Sequence, residues 1–282
     1  MILIGLTTWS DHPSLIHGKN RKVTLSEYAQ HFPVVEVDNP FYGIPKIKTV
    51  ENWQKQVPNN FQFILKANYL MTKHHLPQFG EDDEQVRRET FMRYGEMVDP
   101  LVNSKQLASV LFQFPPYFRL NNDNIRYLRL IREWMGSLPI SIEFRNPSWY
   151  GDEISRDVHD YLKSLKMSEV VVDEPHNLSD GVPFEPFVTD KNFVMMRLHG
   201  QNQKGWFEKS SQWRKKRTLY RYNEDELKHF AEVANDLQKQ AKVVCVIFNN
   251  NSGHDAADNA LQLKKILGLN FGGLAPMQLD LF

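Results

Sequence analysis

Three observations predict an α/β fold built as a single (β/α)8 barrel of the TIM type. The 282 residues suit one large core. Short β-branched runs alternate with longer amphipathic stretches, the pattern of repeated βα units around a parallel sheet. No Pro/Ser-rich linker or shift of composition divides the chain. The barrel is expected over residues 1–267. A flexible tail is expected over residues 268–282, opened by Gly268, Gly272, Gly273 and Pro276.

Taken in order, the strand-like runs are Ile2 to Thr7, Val34 to Asp38, Phe61 to Lys66, Leu107 to Gln113, Ile140 to Phe144, Glu169 to Asp173, Phe193 to His199 and Val243 to Asn249. Helical periodicity falls between them near Leu25 to Phe32, Val50 to Val57, Glu84 to Leu101, Asn124 to Met135, Ile154 to Leu165, Asn223 to Gln240 and Ala256 to Leu267. Hydroxyls at Thr24 and Thr49 mark helix starts. Asn223 followed by Glu224, Asp225 and Glu226 reads as an N-cap before acids that suit the positive helix end. Only the sixth strand has no helical pattern after it, because Glu174 to Lys191 is rich in Pro, Gly and Asp and reads as a loop.

Composition excludes several classes. Lys plus Arg and Asp plus Glu both number 34, so no global basic field holds the chain on nucleic acid or an anionic membrane. Apolar residues at 41% and charged ones at 24% exclude disorder, collagen-like repeats and a membrane span. The single Cys245 forms no intramolecular disulfide, and Met1 leads straight into strand-like sequence, so a reducing cytoplasm is the expected location.

Strand side chains alternate in direction, so residues two apart face the same way. Val35 and Val37 alternate with Glu36 and Asp38; Ile140, Ile142 and Phe144 with Ser141, Glu143 and Arg145; Val194, Met196 and Leu198 with Arg197 and His199. If the apolar set faces the helices, Glu36, Asp38, Glu143, Arg145, Arg197 and His199 face inward near the C-terminal strand ends. Lys66, Gln113, Asp173 and Asn249 are expected to join them. Barrel active sites lie at that end, and so many charges are not buried unless paired or used. Glu36, Asp38, Lys66, Glu143, Arg145, Asp173, Arg197 and His199 are therefore the candidate catalytic set. The competing reading is a salt-bridged structural lid, with four acids set against Lys66, Arg145 and Arg197.

These residue types leave the chemistry open. Neighbouring carboxylates can divide into general acid and general base, a buried Lys66 can act as base or Schiff-base nucleophile, and two arginines can clamp phosphate or carboxylate. No cofactor is fixed, although Mg or Mn could sit on Glu36, Glu143, Asp173 and His199. No His-Glu-x-x-His, P-loop or Gly-x-Gly-x-x-Gly occurs. Tyr42, His75, Trp149 and Asn249 are candidate substrate contacts on the loops after the strands. The alternative is an exposed His74-His75 pair and aromatic residues that only pack the loops. Cys245, mid-strand among Val and Ile, reads as core.

From Gln201 to Tyr222 the chain carries seven cations against Glu208 alone, a local net charge of plus six. Lys204, Trp206, Trp213, Arg214, Lys215, Lys216, Arg217 and Arg221 interleave cations with rings, which suits phosphate contacts and base stacking on single-stranded nucleic acid. A solvated loop anchored by its aromatics is the plainer reading. The last five residues, Gln278, Leu279, Asp280, Leu281 and Phe282, resemble the bacterial sliding-clamp-binding motif at every position. A short peptide of this kind tethers its carrier near DNA. Its alternative is a cap packed on the chain's own barrel.

Over nearly all of residues 1–275 the sequence also resembles the YecE-like family, domain of unknown function seventy-two. The resemblance rests on Glu36-Val37-Asp38-Asn39-Pro40-Phe41-Tyr42, Phe61 to Lys66 with His74-His75, Glu143-Phe144-Arg145-Asn146-Pro147-Ser148-Trp149, Arg197-Leu198-His199-Gly200 and Phe248-Asn249-Asn250. It implies a TIM-type barrel without an established activity, loosely near sugar isomerases and barrel endonucleases. The first turn departs from the family, with Thr7-Thr8-Trp9 in place of a Gly/Trp-rich sequence. His199 and its neighbours are too few for a zinc endonuclease. Together these features predict an enzyme on DNA or a nucleotide-like phosphorylated substrate, recruited to replication or repair by its tail. A small-molecule isomerase, lyase or hydrolase of the sugar class and a non-catalytic DNA-associated adaptor are the alternatives.

Overall fold

Eight parallel strands close on themselves in the order β1 to β8, with β8 returning to β1. They are seen in a computed structural model that describes residues 1–16, 21–74, 83–178, 180–208 and 216–276. The strands are β1 Ile2–Thr7, β2 Val34–Val37, β3 Gln62–Lys66, β4 Leu107–Gln113, β5 Ile140–Glu143, β6 Ser168–Asp173, β7 Phe193–Leu198 and β8 Val243–Phe248. All eight match the predicted runs to within a residue or so. No helix separates β6 from β7 among the described residues.

The helices are α1 Leu25–Tyr28, α2 Asn39–Tyr42, α3 Ile47–Gln54, α4 Glu84–Asn103, α5 Asn122–Met135, α6 Asp152–Ser164, α7 Gln203–Phe207, α8 Glu224–Gln238 and α9 Ala256–Ile266. Capping boxes start two of them: Thr24 with Glu27 and Asn223 with Glu226 each satisfy two backbone N–H groups reciprocally. Thr49 is no cap, since α3 begins two residues earlier after Lys46. The short α2 and α7 escape periodicity because one turn cannot display it.

Side-chain parity divides the core into two layers. Val35, Val37, Ile142, Phe144, Met196 and Leu198 pack outward with the helices. Leu3, Ile64, Leu111, Val172, Met195 and Cys245 fill the inside. Gly5 allows β1 and β2 to approach at their pairing, since a Cβ there would stand 2.3 Å from the Val34 carbonyl oxygen. The lower interior is thus a largely apolar plug, crossed by the buried hydrogen bond between the Ser109 and Ser141 hydroxyls at 2.7 Å, and the charged side chains of the interior lie at the C-terminal strand ends above it.

A depression of about 1220 Å³ lies at the opposite, N-terminal mouth, lined by Met1, Asn60, Phe193, Leu269 and Phe271 among others. Residues 268–276, expected at the start of a flexible tail, lie against the barrel. The partly buried Leu269, Phe271 and Ala275 pack on the core, Ala275 N–H donates to the Ala29 carbonyl at 3.0 Å, and Asn60 donates to the Gly272 carbonyl. Gln278, Leu279, Asp280, Leu281 and Phe282 lie outside the described residues.

Candidate active site

The register sets the site. Thr7 pairs with Glu36 across β1 and β2, Gln113 with Glu143 across β4 and β5, and Val172 with Arg197 across β6 and β7. Inward parity then sends three charged side chains into one layer. Arg197, fully buried, donates from Nε to Glu36 Oε2 at 2.8 Å and from Nη2 to Glu36 Oε1 at 2.6 Å. Its Nη1 donates to Glu143. Arg145, one step above, pairs through Nε with Glu143 at 3.2 Å and through Nη1 with Glu174.

Such groups survive burial only as a network. Burial alone would lower Arg197, but Glu143 and Glu36 hold it above its ordinary value. Burial would raise Glu143, yet Arg197 and Arg145 keep it well below the usual carboxylate range. Glu36 differs: burial dominates and pushes it up to about 7 against the pull of Arg197. Burial, with Arg145 and Arg197 nearby, holds His199 far below its usual pKa and therefore neutral. Its Nδ1 accepts from the Asn249 amide at 2.7 Å, and its Nε2 stands 3.5 Å from both Glu143 Oε1 and Arg197 Nη1.

Above this buried layer lies the part that solvent reaches. Lys66 ends β3 with its side chain 16% exposed, and its Nζ stands 3.7 Å from Asp38 Oδ1 and 4.9 Å from the centre of the Phe41 ring. Burial lowers the Lys66 pKa, and the charge of Arg197 adds to that, while Asp38 pulls the other way. Tyr42, 61% exposed, stands edge-on to Phe41. From the other side Trp206 of α7 lies 6.1 Å from the His199 ring, with the guanidinium carbons of Arg145 and Arg217 at 5.2 and 5.4 Å from its own. At the end of β1, Thr8 adopts the left-handed φ of +60°, a conformation costly for a β-branched residue. His12 Nε2 bridges the carbonyls of Thr7 and Thr8 at 3.2 and 3.3 Å. The inward Thr7 hydroxyl is buried without a hydrogen-bond partner among the described residues.

Several expected site residues lie elsewhere. Asp173 faces the helix side: it accepts from the Gln201 amide at 2.6 Å and from the Tyr222 hydroxyl, which is packed among Phe230 and Phe248. The inward set on this strand is Val170 and Val172, so the next inward carboxylate is Glu174, which opens the Pro- and Gly-rich loop. Trp149 is buried, stacked on Phe144 at 4.2 Å, and its Nε1–H donates to the Phe118 carbonyl at 2.7 Å. It anchors the loop after β5 instead of facing the mouth. The Mg or Mn ligand set does not assemble, because the Arg197 guanidinium sits between Glu36 and Glu143 and Asp173 points away. Among the described residues no three His, Cys, Asp or Glu side chains are arranged to hold a metal ion. Cys245 is buried core, as expected.

The basic segment is partly neutralised where it is described. Lys216 pairs with Glu208 at 2.7 Å and Arg221 with Asp255 at 2.7 Å, while Lys204 is exposed on α7. His75, Trp213, Arg214 and Lys215 lie outside the described residues. No helix among the described residues is long and apolar enough to cross a membrane.

Comparison with known proteins gives the same architecture. UPF0759 protein YunF of Bacillus subtilis strain 168 is 42% identical over the whole of both chains, and UPF0759 protein YecE of Escherichia coli K12 is 26% identical over 78% of this chain and 85% of its own. A crystal structure of the DUF72 protein EF0366 from Enterococcus faecalis V583 superposes with a TM-score of 0.92 at 42% identity, covering 99% of this chain and 100% of that one. TM1631 from Thermotoga maritima MSB8 follows with a TM-score of 0.78 at 26% identity, covering 95% and 100%. A D-allulose 3-epimerase from Methylomonas sp., at 8% identity, 95% and 96% coverage and a TM-score of 0.50, shares the barrel fold alone. The family described as "Protein of unknown function DUF72" matches residues 3–279, and the chain belongs to it.

Proposed function

We propose that this chain is an enzyme that transforms a small, uncharged polar molecule of the sugar class by proton transfer at the C-terminal mouth. The observation that carries the reading is the engagement of both arginines. Arg197 is bound by Glu36 and Glu143, and Arg145 by Glu143 and Glu174, so neither offers a free fork to a phosphate or nucleotide. Among the described residues, counting Asp38 and Arg217, four carboxylates face four cations at the mouth, so it has no excess of positive charge with which to gather a polyanion. This favours a neutral metabolite over DNA, the substrate that the basic segment and the tail suggest.

The groups that meet such a molecule first are Lys66, Asp38 and Asn249, with the exposed Tyr42 offering a ring to its C–H side. The unpartnered Thr7 hydroxyl suits a hydroxyl of the substrate. Lys66, held toward its neutral form, is the base that takes a proton from carbon beside a carbonyl, and Asp38 is the neighbouring group that exchanges it. The buried Glu36, Glu143 and Arg197 hold the walls in position. The test is solvent deuterium incorporation, followed by NMR, into a panel of aldoses, ketoses and short hydroxy-carbonyl compounds. Exchange that disappears in Lys66→Met is expected. Turnover confined to phosphorylated substrates or nucleic acid would overturn the reading.

A further inference from the structure

Resting on the small-molecule reading above, we infer that Lys66 acts covalently, its Nζ forming an imine with a neutral carbonyl compound. Geometry carries the inference. Lys66 stands at the solvent-facing edge of the site, and its Nζ hydrogen-bonds to no acceptor among the described residues. The nearest carboxylate oxygen, Asp38 Oδ1, is at 3.7 Å, beyond hydrogen-bond length, so the nitrogen is approachable and its lone pair is not tied up. What surrounds it suits the product. An iminium carbon–nitrogen unit would keep its positive charge beside Asp38 and over the Phe41 ring face, at 4.9 Å in the free protein. Burial and the Arg197 charge beneath favour the neutral amine that must attack.

The step balances without any further reagent. The Nζ lone pair forms a bond to the carbonyl carbon, and the π pair of that carbonyl moves to its oxygen. A proton passes from nitrogen to oxygen through the Asp38 carboxylate, giving a carbinolamine. Asp38 then returns to the hydroxyl the proton it took from the Lys66 ammonium before attack, and the hydroxyl leaves as water while the nitrogen pair closes the C=N bond. One ammonium and one carbonyl give one iminium ion and one water. The Tyr42 ring and the Thr7 hydroxyl, without a partner among the described residues, make a short hydroxy-aldehyde or hydroxy-ketone the fitting class.

Glycolaldehyde with cyanoborohydride is the probe, read by peptide mass mapping of the full chain. The expected result is a hydroxyethyl group on Lys66 that appears at least about tenfold faster than on the exposed Lys204, the advantage of holding the amine beside the Asp38 carboxylate and a bound carbonyl. Asp38→Asn should slow labelling of Lys66 and leave Lys204 unchanged. Labelling of Lys66 no faster than of Lys204 overturns the inference. If Lys66 then remains necessary for deuterium exchange into a sugar, it acts as a base only and the small-molecule reading stands. If exchange is also absent, both fail.

Discussion

Arg197 closes a bidentate fork on Glu36, with Nε and Nη2 at 2.8 and 2.6 Å from the two carboxylate oxygens, and joins strands that are 161 residues apart in sequence. Both partners are fully buried, so the pair is a tie across the barrel. Removing one end strands the other charge in a medium that cannot solvate it. Arg197→Met should therefore lower unfolding free energy by about 3–5 kcal/mol, read by urea denaturation. Replacing Glu36 and Glu143 by Leu in the same chain should restore most of that loss. Additive losses would mean that the three side chains do not act as one unit.

Lys66 is expected to behave in the opposite way. Its ion pair is long and partly wet, so Lys66→Met should shift stability by no more than about 1 kcal/mol. Proton exchange into a hydroxy-carbonyl substrate should be abolished in the same variant, and Lys66→Arg should not restore it, since a guanidinium stays charged. A large stability loss with retained exchange would assign Lys66 to the scaffold.

The pH dependence has two opposing sources. The folded chain keeps His199 neutral, while the unfolded chain protonates it below about 6.5, so its contribution is complete above that pH and lost as pH falls. Glu36 is raised from 4.5 to about 7, so its contribution is complete below the lower value and lost as pH rises through the upper one. His199→Asn removes the first source only. Relative to wild type, the slope of its stability against pH should be lower by about 1.4 kcal/mol per unit between about pH 5 and 6.5. Parallel curves would show that His199 is already protonated in the folded chain.

Asp173 should prove structural. Its carboxylate anchors Tyr222 and Gln201, which tie the segment after β7 to the barrel. Asp173→Ala is expected to lose about 1.5–3 kcal/mol of stability, the worth of bonds to a charged group. At temperatures where the variant stays folded, exchange kinetics should match wild type. A selective loss of turnover would return Asp173 to the catalytic set.

The clamp-like tail has its own test. Surface-immobilised bacterial sliding clamp should retain the full chain, and retention should fall by at least about tenfold when Leu281 and Phe282 become alanine, since such peptides bind through few apolar anchors. Equal retention would remove the tether.

Much of this arrangement was legible where strands alternate. β5 alternates throughout, and β2 and β7 alternate from Val35 and Met196 onward, so a period of two marks which side faces inward, and Glu36, Glu143 and Arg197 meet as expected. β6 offers no such contrast. Its run Val170-Val171-Val172 is buried on both faces, and an all-apolar run carries no phase. Asp173 was therefore assigned inward when Glu174 holds that position. Trp149 failed for a related reason: an aromatic after a strand looks the same whether it lines a mouth or anchors a loop, and only its 4.2 Å stack on Phe144 separates the two. The pairing that engages both arginines was also hidden, because sequence lists charges but not their distances.

The three-way junction of Glu36, Arg197 and Glu143 has an evolutionary corollary. No one of its members can change charge alone without leaving a bare ion inside the cylinder, and no path of single, mildly harmful steps leads away from it. Among descendants of a common ancestor these three positions should be inherited together or replaced together, and a sequence carrying two without the third would have to supply a substitute cation or acid from a neighbouring strand.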